Sequence, residues 1–153
     1  MNELLLQDEL ATNDLGKRIA NILLESDFNS VEIHLNGNLG TGKTFLVQSI
    51  LRNSGWSNSV KSPTYTLCEE YEFNNMLFLH IDLYRTSEAE DILIFDLDRK
   101  TSGKKIIIIE WPERLREPRF FDMKINLEHQ EESRIVSFDV KSNLFLSLVA
   151  SNV

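Results

Sequence analysis

Apolar and polar residues follow two different periods along this chain, and the switches between them mark its elements. Val31-Glu32-Ile33-His34-Leu35 alternates, as a strand with one covered face does. Phe45, Leu46, Ile50 and Leu51 then recur at helical spacing until Asn53-Ser54-Gly55 supplies a stop. Upstream, Leu15, Ile19, Ile22 and Leu23 trace one helical face through about Glu25, with Thr12-Asn13-Asp14 offering the cap. Glu3 to Leu6 fits a short edge strand, and Ser59-Val60 a brief extension after the second helix. The runs Leu67 to Phe73 and Met76 to Asp82 are separated only by Asn74-Asn75. Asparagine tolerates positive φ, so a two-residue hairpin turn is expected there. Ser87-Glu88-Ala89-Glu90 reads as a capping box that opens a helix through about Asp96. Ile106-Ile107-Ile108-Ile109 is an unbroken β-branched run, the mark of a strand covered on both faces, and Pro112 closes it. Met123 to Leu127 and Val136 to Val140 alternate around a polar turn at Glu131-Glu132-Ser133, which predicts a second hairpin. Leu144, Phe145, Leu148 and Val149 mark a closing helix.

Between the first strong strand and its helix lies Gly37-Asn38-Leu39-Gly40-Thr41-Gly42-Lys43-Thr44, which fits G-x-x-x-x-G-K-[ST]. The spacing has a mechanical reason. Glycines let the loop turn its backbone N–H groups toward phosphate oxygens, and the following helix N-terminus adds partial positive charge. Lys43 would reach the β- and γ-phosphates, and the Thr44 hydroxyl would ligate Mg²⁺. The expected fold class is therefore α/β, a P-loop NTPase-type three-layer domain with a mixed central sheet and antiparallel hairpins, with residues 1–153 as a single domain. If the strand before the loop runs up, the second strand of the first hairpin and the isoleucine strand also run up. The phosphate loop, Ser62 to Thr66, Asp82 and Glu110 then converge at the carboxyl edge of the sheet, where open α/β folds bind ligands.

Composition narrows the partners. Lys+Arg 16 against Asp+Glu 24 gives a net charge of −8, which argues against gripping nucleic acid over a broad face. The single cysteine, Cys68, excludes an intramolecular disulfide and a multi-cysteine metal site, and suits a reducing cytoplasm. Met1 to Glu9 lacks a basic leader region, and no window approaches the ~20 apolar residues of a membrane span. A cytoplasmic protein is expected, with no membrane contact.

A nucleotide hydrolase needs an acid near the metal at the end of an apolar strand. Asp82, after Leu79-His80-Ile81, and Glu110, after the isoleucines, both qualify: one would hold Mg²⁺ directly or through water, the other would orient the attacking water. Thr64 sits where a switch segment could sense the γ-phosphate. His80 alternates with apolar neighbours and reads as a structural histidine, while Arg85 could serve transition-state charge or pair with Glu88. Trp111 is either core or a lid, and Glu69, Glu70 and Glu72 form a solvated face or a docking surface for a basic partner. No guanine-reading N-K-x-D stretch is present, so ATP is the expected nucleotide.

Taken together these motifs resemble the bacterial TsaE (YjeE) family of tRNA threonylcarbamoyladenosine biosynthesis. The segments that carry the resemblance are Gly37 to Thr44, Ser62-Pro63-Thr64-Tyr65, His80-Ile81-Asp82-Leu83-Tyr84-Arg85 and Ile109-Glu110-Trp111-Pro112-Glu113-Arg114-Leu115. Thr12-Asn13-Asp14-Leu15-Gly16 resembles the family's N-terminal nucleotide-contacting segment. The resemblance implies a Mg²⁺-dependent ATPase, weak alone and stimulated by TsaD and TsaB homologues. Those partners transfer the threonylcarbamoyl group to a tRNA adenosine, and ATP hydrolysis would reset or regulate their complex, with no stable direct tRNA binding. It implies catalytic roles for Lys43, Asp82 and Glu110, and metal positions at Thr44, Glu110 and Asp82. Nucleotide contacts would come from Thr12, Asn38, Leu39, Gly40, Thr41, Gly42, Lys43, Thr44, Phe45 and Arg134, with Ser62, Pro63, Thr64 and Tyr65 as the switch loop. Two other readings stand beside it. One is a nucleotide-gated assembly module in which binding rather than hydrolysis matters. The other is a small P-loop kinase, for which Arg114, Arg116 and Arg119 would have to form the lid.

Overall fold

The computed structural model describes residues 3–61, 67–85 and 96–150. The expected switch loop, Ser62 to Tyr65, and the helix expected from the Ser87 capping box lie outside the described residues. The isoleucine run sits near the middle of one seven-stranded sheet. The strands are β1 (Glu3–Leu6), β2 (Ser30–Asn36), β3 (Cys68–Phe73), β4 (Met76–Asp82), β5 (Lys104–Glu110), β6 (Met123–Gln130) and β7 (Ser133–Val140). Their spatial order is β1-β7-β6-β2-β5-β4-β3. β6, β2, β5 and β4 run parallel, and the β3–β4, β6–β7 and β1–β7 pairs at the margins are antiparallel. This is the mixed sheet with antiparallel hairpins that the alternation predicts.

The turns form where asparagine and polar residues allow them. Asn74 and Asn75 both adopt left-handed φ values, 49° and 59°, which matches the twist of a two-residue hairpin. In the second hairpin Glu131 takes the left-handed position at φ 56°. Both of its strands are longer than the alternation indicates, because strand pairing extends through Glu128↔Ile135 to Gln130↔Ser133. Ser59-Val60 forms no strand.

The described helices are α1 (Glu9–Glu25), α2 (Lys43–Ser54) and α3 (Leu146–Ala150). α1 starts earlier than expected. Asp8, not the Thr12-Asn13-Asp14 stretch, is the cap, and its Oδ1 accepts the Ala11 N–H at 2.9 Å. Several cap-competent residues fall in succession here, and the apolar period that fixes the helix begins only at Leu15. Thr12 instead lies inside the helix, its hydroxyl donating to the Asp8 carbonyl at 3.4 Å. α1 lies directly on α2 at Gly16, where an added Cβ would stand 2.3 Å from Ser49 Oγ. The Ser49 hydroxyl donates across the same seam to Asn13 Oδ1 at 2.7 Å.

One sheet face carries Val31, Ile33, Leu35, Ile106, Ile108 and Phe78, packed against Leu15, Ile19, Leu46 and Ile50 of the helices and Phe145 beside α3. On the other face Leu79, Ile81, Ile107 and Ile109 pack with Leu83 and Leu97, and Trp111 and Leu115 lie against them. β5 is thus buried from both sides, which is why its residues are apolar without alternation. None of the described helices is long and apolar enough to cross a membrane.

Candidate functional site

β2 delivers the chain to the phosphate loop at the carboxyl edge of the sheet. Gly37 is required there: its φ is 156°, and a Cβ would meet Thr41 Oγ1 at 2.6 Å and the Leu127 carbonyl at 2.7 Å. The loop is knotted by its own polar atoms. The Thr41 hydroxyl donates to the Asn38 carbonyl at 2.9 Å, and the Thr41 N–H approaches the same oxygen at 3.3 Å. Gly42, at φ 97°, turns the chain into α2, whose first-turn N–H groups face outward by the geometry of any helix start. From β7, Arg134 clamps the loop from outside, Nε donating to the Thr41 carbonyl at 3.1 Å and Nη2 to the Gly40 carbonyl at 3.2 Å.

The acids arrive by strand register. Asp82 ends β4 directly beside Glu110, which ends β5, and Glu110 in turn pairs with Leu35 of β2. Glu110 is 2% exposed. Both its oxygens stand 3.2 Å from the Thr44 hydroxyl, and Oε2 lies 2.5 Å from His80 Nε2. Lys43 Nζ donates to the Asn38 carbonyl at 3.1 Å and to the Gly37 carbonyl, and it sits 4.3 Å above the Trp111 ring. Burial lowers the affinity of Lys43 for its proton, against the opposing pull of Glu110, Asp82 and Glu113. Burial pushes the Asp82 carboxyl above its ordinary range and the Glu110 charge adds to this, although the Tyr84 N–H on Oδ1 at 3.0 Å works the other way.

These groups enclose a cleft of about 280 Å³, lined by residues 39–45 with Asp82, Tyr84, Glu110 and Trp111. So the structure brings Leu39, Gly40, Thr41, Gly42, Lys43, Thr44 and Phe45 into one cavity with both candidate acids, and places Asn38 and Arg134 as supports of its loop. Thr12, buried in α1, does not line that cleft, and Arg85 is exposed beyond it. The side chains expected to hold a metal, Thr44, Glu110 and Asp82, all offer oxygen, the ligand type a hard divalent cation takes. Among the described residues no three His, Cys, Asp or Glu side chains converge as a ready-made cage. A cation here would be shared with phosphate oxygens, the usual situation for Mg²⁺.

Three features are not readable from the motif. Trp111 adopts a left-handed φ of 61°, uncommon for a bulky residue, and forms an aromatic wall with Tyr84 at 5.0 Å. His80 belongs to the acid cluster, not merely to the core. A second polar network lies on the far sheet face: Glu32 bonds His34 at 2.7 Å and Arg119 at 2.7 Å, and Arg119 reaches Asp98 at 2.8 Å. Its signal was present in the polar positions of β2, but their partner Arg119 is distant in sequence.

A mixed sheet whose central parallel strand feeds a glycine-rich loop and a helix, with two strand-end acids opposite, defines a P-loop NTPase-type α/β domain. The family model described as "Threonylcarbamoyl adenosine biosynthesis protein TsaE" matches residues 6–136. The chain is 32% identical to the tRNA threonylcarbamoyladenosine biosynthesis protein TsaE of Haemophilus influenzae, over 94% of this chain and 92% of that one. It is 36% identical to the protein of the same name from Aquifex aeolicus, over 74% and 79% of the two chains. In fold it resembles the crystal structure of Bacillus subtilis YdiB, with a TM-score of 0.68 at 19% identity over 97% of this chain and 91% of that one. The chain belongs to the TsaE family, and so to the proteins of tRNA threonylcarbamoyladenosine biosynthesis.

Proposed function

We propose that this chain is a Mg²⁺-dependent ATPase, slow alone, whose hydrolysis of ATP to ADP and phosphate resets the TsaB–TsaD complex between threonylcarbamoyl transfers. The observation that carries this reading is the Thr44 hydroxyl set 3.2 Å from both oxygens of the buried Glu110, in the cleft that Lys43 also lines. Phosphate loops use these groups in complementary ways. Lys43, already held by loop carbonyls, would pair with the β- and γ-phosphates. Thr44 and Glu110 would hold Mg²⁺, whose contribution when bound is to neutralise charge at the phosphate oxygens. Asp82 stands beside them; its Oδ1 accepts the Tyr84 N–H, and its other oxygen would accept a hydrogen bond from water and so orient the nucleophile. Trp111 and Tyr84 wall the cleft and limit bulk water. The partner-coupled role rests on family membership and on the acidic net charge of −8, which favours protein partners over tRNA.

Alanine at Lys43 or at Glu110 should reduce ATP hydrolysis by roughly 100-fold or more, the scale of losing a charge-stabilising group. Unchanged turnover in either variant would remove the site assignment. Glu110→Gln should still bind ATP yet fail to sustain repeated rounds of tRNA modification. Sustained modification by that variant would favour the assembly-module reading, in which binding alone suffices.

A further inference from the structure

His80 lies two residues before Asp82 on β4, on the sheet face that α1 and α2 cover, and pairs in register with Ile108 of β5. That register sets its ring directly beneath Glu110, where it is 1% exposed. A polar ring at such depth costs stability unless its nitrogens are paired. Among the described residues Nε2 has one hydrogen-bond partner, Glu110 Oε2 at 2.5 Å, and Nδ1 has none. The hydrogen therefore sits on Nε2, because a carboxylate oxygen accepts and cannot donate. A core-filling role alone would leave no reason for this ring: Phe78 and Ile108 next to it show that the space takes apolar residues.

The geometry of Glu110 supplies the reason. A carboxylate turns easily about its last bond, so its plane must be fixed by donors. Thr44 stands equally far from both oxygens and does not choose between them. His80 does choose, by engaging Oε2 alone from below. We infer that His80 is a positioning residue whose Nε2–H fixes the plane of the Glu110 carboxylate, so that Oε1 and the Thr44 hydroxyl are presented together to a divalent cation. Groups behind a ligating side chain commonly tune metal affinity in this way. The inference rests on the proposed function, since it names how that site acquires its cation preference.

The test compares His80→Leu, which fills the space without a donor, with His80→Gln, whose amide N–H ends where Nε2 does. Binding of an ATP analogue with a non-cleavable β,γ-bridge is measured by calorimetry across a Mg²⁺ series and in EDTA, with thermal melting as a check on folding. His80→Leu should need about 10-fold more Mg²⁺ for half-maximal binding, while its affinity in EDTA changes less than about twofold. His80→Gln should stay near the wild-type midpoint. If the leucine variant does not fold, His80→Asn, whose shorter amide cannot span to Glu110, replaces it with the same expectation. A wild-type midpoint in the leucine or asparagine variant overturns the inference alone, as does a glutamine variant shifted as far as leucine. Wild-type binding that ignores Mg²⁺ overturns both the inference and the proposed function.

Discussion

Glu110 is a carboxylate in the core side of the sheet edge, and its position is set by residues far away in sequence: Thr44 at the start of α2, His80 on β4 and Asp82 beside it. Arg134 does the corresponding work for the phosphate loop, since two of its donors hold the carbonyls of Gly40 and Thr41. Those carbonyls must point away from a bound phosphate for the N–H groups to point toward it. Arg134→Ala should therefore weaken ATP binding about 10-fold, the equivalent of one charged hydrogen bond of about 1.5 kcal/mol, with little change in melting temperature. Calorimetry settles it, and an unaltered affinity would mean the loop holds its shape without the clamp. Trp111 shows how a site can distort a residue: its left-handed φ carries a cost of order 1 kcal/mol, and in return its ring lies under Lys43.

At the scale of elements, what could be read from the sequence was whatever depends on near neighbours. Asn74-Asn75 announced its turn, because both residues tolerate the left-handed backbone the hairpin needs. The isoleucine strand announced its double burial, and the expected topology correctly set Asp82 and Glu110 at the same carboxyl edge, where the register makes them neighbours. The start of α1 was not readable, because Asp8 competes with three later cap-competent residues and only the packed structure selects it. The His80–Glu110 and Glu32–Arg119 contacts were equally hidden, since they depend on strand register and chain return, not on local pattern. Gly16 belongs to this scale too. Gly16→Ala would press a methyl group onto Ser49, so it should destabilise the fold by about 1–3 kcal/mol despite alanine's better helix propensity. Ser49→Ala in the same chain should recover part of the loss in denaturant unfolding. Equal or higher stability in the single variant would show that the α1–α2 seam has slack.

At the scale of the whole molecule, the sheet separates two polar systems. The cleft sits at its carboxyl edge, and the Glu32–His34–Arg119–Asp98 network ties β2 to the returning chain on the far face. Burial pushes the Glu32 carboxyl up, but hydrogen bonds from His34 and Arg119 outweigh it and hold the group below its ordinary value of 4.5. A lowered folded value means stability that is fully present above pH 4.5 and lost as the pH falls below it. Arg119→Ala should cost about 2 kcal/mol at neutral pH, and the gap to wild type should narrow as pH drops through the acid range. Melting curves from pH 7 down to about pH 3.5 would check this; a gap that stays constant would mean the pair contributes nothing through Glu32 ionisation.

Whether the cleft hydrolyses ATP in the service of its partners decides the proposed function. The most direct measurement is phosphate release from ATP by the purified chain, alone and mixed with TsaB and TsaD homologues from the same organism, each beside Lys43→Ala. Slow release alone, a clear rise with the partners, and loss of both in the variant are the predicted results. Release that ignores the partners, or that survives Lys43→Ala, would contradict the account.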